Sequence, residues 1–95
     1  MTTETRKAAQ RICIKARLSP QGKYADEFEK IIKGVLEECQ PKLVAAAEKA
    51  FLHVRELREA WQRGTLDERQ PSERGWLSNV NVEVEVALRE ALNQP

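Results

Sequence analysis

Between Tyr24 and Arg63 the apolar residues fall at Phe28, Ile32, Val35, Cys39, Leu43, Ala46, Ala50, Val54, Leu57 and Trp61. Steps of three or four residues place them along one face of a helix. No other feature constrains the chain as strongly, because a stripe this long must be covered. As a single helix it would be about 60 Å long, whereas the usual globular helix has about 11 to 12 residues. Either the flanking segments fold back over it or a second chain does. Pro41 lies inside the pattern, where it removes a backbone hydrogen bond and clashes with the carbonyl of Glu37. The stripe keeps its phase from Cys39 to Leu43, which a sharp turn would not require. We therefore read residues 24–63 as one long helix kinked at Pro41; the other outcome is two helices meeting at Cys39-Gln40. Past Pro41 the apolar face widens to include Val44, Ala47, Phe51 and Ala60. A face that wide needs two neighbours. Gly64 suits a helix C-cap.

The flanking segments are each open to two readings. In the first, Ala8, Ala9, Ile12, Cys13 and Ala16 form one face of a short helix over 3–17, favoured by the alanines and charged residues. As a strand near 11–18, Ile12, Ile14, Ala16 and Leu18 alternate with Arg11, Cys13, Lys15 and Arg17. Ser19-Pro20 and Gly22 end the segment. In the last, Trp76, Leu77, Val80, Val84, Ala87, Leu88, Ala91 and Leu92 make one helical face, while Val80, Val82, Val84 and Val86 also alternate as a strand near 79–88 would. That helical stripe is longer than a usual strand of about five to six residues. The expectation is an all-α fold of one domain over 1–95: an antiparallel hairpin of the long kinked helix and a returning C-terminal helix, with a short N-terminal helix. The alternative is α+β, the basic strand paired with the acidic one. The connection 64–75 is punctuated by Pro71 and Gly75, and its Thr65-Leu66-Asp67-Glu68 has the capping-box pattern.

A net charge of +1 hides an asymmetry. Residues 1–23 carry six basic side chains and one acidic, +5; residues 24–95 carry ten basic and fourteen acidic, −4. The basic start points to contact with an acidic surface, on its own or a sister chain or on a partner. Nothing in the chain reads as a membrane span or a secretory signal, so the expected compartment is the cytoplasm. There the thiols of Cys13 and Cys39, spaced for neither zinc nor a redox pair, stay reduced. Arg11, Lys15 and Arg17 around Cys13 could lower its pKa. With aromatics at 5%, little is available for stacking on single-stranded nucleic acid.

The chemistry-bearing residues form no catalytic pattern. His53 is the single histidine, and Glu56 three residues on lies on the same side of a helix, where an ion pair is the ordinary outcome. The glycines make no phosphate loop, and the serines stand in no nucleophile elbow. The chain reads as a non-enzyme without cofactor or metal. The run from Arg11 to Pro20 followed by a helix resembles the opening of a ribbon-helix-helix repressor. That resemblance implies a strand whose Arg11, Cys13, Lys15 and Arg17 face the bases, hence a small dimeric DNA-binding regulator as the alternative function. The preferred expectation is a protein-interaction module and homodimer, a stoichiometric regulator or inhibitor that occludes a partner. In size and outline it looks like the small helical antiactivators and anti-defence proteins of bacteria and phages. Candidate partner-binding residues are Arg11, Lys15, Arg17, Phe51, Trp61, Val82 and Val86. On a helical C-terminal segment the two valines point away from the hairpin.

Overall fold

The computed structural model describes residues 2–40, 42–64 and 75–93, with side chains from Thr5 onward. Pro41, the capping-box stretch Thr65-Leu66-Asp67-Glu68 and Pro71 lie outside the described residues. Four helices follow in order: α1 (Thr2–Lys15), α2 (Lys23–Cys39), α3 (Leu43–Gln62) and α4 (Trp76–Leu92). Among the described residues there is no strand, so neither 11–18 nor 79–88 forms the small sheet of the α+β alternative. In both segments the 3.6-residue stripe prevails over the two-residue alternation, because only the helix presents a whole apolar face to the other helices.

The long kinked helix is replaced by two. Gln40 (φ −65°, ψ 136°) and Lys42 (φ −89°, ψ 100°) are both extended. Extension at Gln40 is what a following proline imposes on its neighbour. The Lys42 amide donates to the Cys39 carbonyl at 2.7 Å and closes the turn. Beyond it α3 runs back along α2: Glu38 pairs with Lys49 near the turn, and Ile31 and Leu57 line one groove further away. The longest dimension of the molecule is 38 Å, too short for a helix of about 60 Å. The unbroken phase across Pro41 reflects two faces that each need the same core.

Each helix packs on the next, and α4 returns to α1 and α2. Arg6 of α1 pairs with Asp26 and Glu29 of α2, and Arg11 reaches Glu90 of α4 at 2.8 Å. These contacts describe an up-down-up-down bundle, a fuller closure than the expected hairpin. The wide face of α3 (Ala46, Ala47, Ala50, Val54, Leu57, Trp61) is buried, covered by α2 and α4 of the same chain. The two neighbours inferred from its width are therefore both intramolecular. No polar or charged residue is buried among those described. At one end of the bundle the aromatic rings interlock, Tyr24 to Trp61 at 4.5 Å and Trp61 to Trp76 at 5.6 Å, with Phe28 beside Tyr24 at 6.3 Å. That cluster joins α2, α3 and α4 across tilted rings, the arrangement that ring quadrupoles favour.

The helix ends follow local chemistry. α1 stops before Ser19-Pro20, because Arg17 turns left-handed (φ 61°). The Arg17 amide donates to the Ile14 carbonyl and the Leu18 amide to the Cys13 carbonyl, the Schellman pattern, with Leu18 buried against the helix end. An arginine there meets the strain that glycine avoids. α3 ends as its sequence suggests, at Gly64 with φ 80°.

Two predictions follow from this geometry. Spin labels at Lys30 and Glu56 should lie under about 20 Å apart, given interaxial distances of about 8–10 Å; a continuous helix would separate them by about 39 Å. Arg17→Gly should raise stability by up to about 1 kcal/mol by removing the left-handed strain, read as a thermal midpoint higher by up to about 4–8 °C.

Candidate functional site

Opposed apolar faces explain why α2 and α3 meet, but they do not fill the outer seam between them. A groove of about 440 Å³ remains there. Its floor is Ile31, Gly34, Val35, Leu57 and Ala60, and its rim is Glu27, Lys30, Glu38, His53 and Glu56. These are the residues that helical spacing turns to one side, at positions three and four apart on each helix. Gly34 sits mid-helix at a cost of about 1 kcal/mol against alanine. A Cβ built there meets nothing within 4 Å. No neighbour in the described chain therefore requires the glycine; it opens the groove floor.

The rim is mostly acidic. His53 Nδ1 lies 3.3 Å from Glu56 Oε2, the i,i+3 side-chain contact that the spacing suggests. At the other end Lys49 pairs with Glu38. Hydrogen bonding to Lys49, with its charge, holds the Glu38 carboxyl below its ordinary value, and the same contact raises the lysine. Among the described residues no cluster of His, Cys, Asp and Glu is arranged to hold a metal ion.

A second kind of surface lies outside the helices. Ile14, Val44, Leu52 and Val82 are more than half exposed, at 61, 72, 56 and 57%, and Val86 is 36% exposed. Val82 and Val86 are one turn apart on α4, opposite the buried Val80, Val84 and Leu88, the orientation expected from the helical reading. Arg11, Lys15 and Arg17 are exposed on and just after α1, and Phe51 is half-buried on α3. Trp61 departs from its expected role: it is 1% exposed inside the aromatic cluster. Withdrawing it to meet a partner would forfeit packing of the size lost in Trp→Ala changes, about 3–5 kcal/mol.

The candidate residues therefore do not converge on one site. Arg11, Lys15 and Arg17 belong to the α1 end, Val82 and Val86 to the outside of α4. The groove was missed by sequence reasoning, although Gly34 inside a regular helical pattern was its one local signal. Leu52 was also legible, lying two residues from both Ala50 and Val54 and so on the opposite side of α3. The ribbon-helix-helix likeness loses its carrier. Residues 11–15 are helical, and Cys13, assigned there to face the bases, is wholly buried. Burial likewise removes Cys13 from the reactive thiols, which are partly exposed.

No protein-family model, no curated protein and no solved structure matches the chain. No helix among the described residues is long and apolar enough to cross a membrane.

The Glu38–Lys49 pair has a definite pH signature. A carboxyl with a lowered folded-state pKa contributes stability above its unfolded value and loses it as pH falls through the folded value. The lysine, raised on folding, contributes below its unfolded value and loses that contribution as pH rises through the folded one. Wild type should melt above Glu38→Gln at about pH 7, and the two should converge towards about pH 2. Both groups are solvent-exposed, so the difference should be small and salt-sensitive.

Proposed function

We propose that the chain is a protein-interaction module that acts stoichiometrically, as a regulator or inhibitor occluding a surface of a protein partner. The observation that carries this reading is the set of large apolar side chains on the outside of a bundle whose interior is already filled. Single exposed apolar residues are ordinary on a protein surface. Val82 and Val86 form a pair one turn apart on the same outer side of α4, the geometry of a helix face that meets another element. Each would stabilise a complex by about 1.5 kcal/mol or more if fully buried there. Phe51 and Leu52 on α3 add half-buried and exposed apolar surface. The action proposed is that of the antiactivator or anti-defence type, in a cytoplasm, with no bond made or broken.

The rival reading, DNA contact through a basic ribbon, finds less support. Its ribbon begins in the last part of α1, and one of its basic side chains, Arg11, meets Glu90 of the same chain.

The double change Val82→Lys, Val86→Lys tests the proposal. Both side chains are exposed, so circular dichroism should show helix content and melting nearly unchanged. Stoichiometric capture of a protein partner from host lysate on the immobilised chain should be lost, about tenfold or more for two buried valines. Equal capture by wild type and variant, or no stoichiometric capture by wild type, would overturn the assignment of this face.

A further inference from the structure

We propose that the α2–α3 groove receives the outer face of α1 from a second copy, so that copies associate head to tail. The inference rests on the protein-interaction reading and names an occupant for a different surface from the α4 valines. Gly34 is the first observation. It weakens α2, and no atom of the described chain stands where its side chain would be. Glycine at such a place lets another backbone or side chain approach closely. Nothing among the described residues accounts for it.

Charge selects the occupant. Three carboxylates line the groove, those of Glu27, Glu38 and Glu56, against Lys30 and His53. Lys49 pairs with Glu38 and the His53 ring lies against Glu56, which leaves Glu27, among the described residues, as the lining carboxylate without a side-chain partner. The matching shape is an apolar knob set among cations. α1 carries one: Ile14, 61% exposed, with Lys7 and Lys15 beside it, both exposed, and Arg11 already on Glu90. Lys7 to Lys15 spans about 12 Å of helix and Glu27 to Glu38 about 16 Å, so the face fits within the groove. Ile14 would enter over Gly34 against Ile31 and Leu57, and the lysines would meet the acidic rim. The opposite face of α1 remains in its own bundle through Ala9, Ile12, Cys13 and Ala16, so docking requires no unfolding.

Knob and groove are different surfaces, which makes the contact heterologous: each copy offers one of each. A single helix face in a groove is a small interface, so the association should be weak, reversible and salt-sensitive.

Sedimentation equilibrium on the full chain, from about 10 to about 500 µM and at about 50 and about 500 mM salt, reads the association. Wild type should exceed monomer mass increasingly with concentration at low salt, and less at high salt. Gly34→Leu fills the groove and raises helix propensity, so it should fold at least as stably yet stay monomeric. Ile14→Glu with Lys15→Glu should also stay monomeric. Mixed one to one, the two variants each keep one good surface and should form a dimer that grows no further. The Val82→Lys, Val86→Lys chain should associate as wild type does, so loss of partner capture and loss of self-association are separately readable. A wild type that is monomeric throughout, variants that associate like wild type, or a mixture that stays monomeric would each overturn the proposal.

Discussion

A proline in mid-pattern decides the architecture. The residue before it cannot stay helical without steric conflict, and Gln40 is extended. Once α2 ends there, its stripe cannot continue into α3 as one face of one rod. It folds back, and the two stripes become opposite walls of one core. Everything downstream depends on that reversal. The width of the α3 face makes sense only if α2 takes one part of it and α4 the other, and α4 can reach it only by returning antiparallel. Its first residue, Trp76, closes the aromatic cluster over Trp61. A bundle of this size has little core to spare, and the fully buried side chains among those described are of apolar types, which confines desolvation costs to a few shielded atoms such as Trp76 Nε1 and Asn81 Oδ1.

Electrostatics plays the lesser part. Some of the basic surplus at the start of the chain is spent within the molecule, Arg6 on α2 and Arg11 on α4. These are solvent-exposed or half-exposed pairs, each of small individual worth. Their value is in orientation: they fasten opposite sides of α1 to two different helices. The hydrogen bond to Asp26 is the chief influence that raises the Arg6 guanidinium above its ordinary value. Lys7 and Lys15 remain on the exposed side, a separation that follows from the angular spacing of positions along one helix.

Helix content and the identity of the buried faces were legible in the sequence. Phe28, Ile32 and Val35, then Ala46, Ala50, Val54, Leu57 and Trp61, are buried as their spacing indicates. Connectivity in space was not legible from phase. Two antiparallel helices facing one core show the same spacing as one continuous helix, so the break at Gln40 had to be judged from Pro41 alone. Strand-like alternation misled only as far as an alternative: Val80, Val82, Val84 and Val86 divide between core and surface on a helix because 100° steps send Val82 to the far side of Val84. The α1 terminus was placed late because no glycine marks it; the left-handed residue is Arg17. For the surfaces, outward valines follow from periodicity, whereas the groove depends on how closely α2 and α3 pack, which is a property of the pair and not of either stretch.

The order of the helices along the chain also has a consequence for synthesis. α1, α2 and α3 are complete by Gln62, yet the face of α3 that α4 covers must wait for residues up to Leu92. At about 5–20 residues per second, that interval is roughly 1.5 to 6 s. During it the nascent chain lacks the helix whose Trp76 ring packs on Trp61. Helices adjacent in sequence assemble fast, but the bundle cannot close before its last helix has been made.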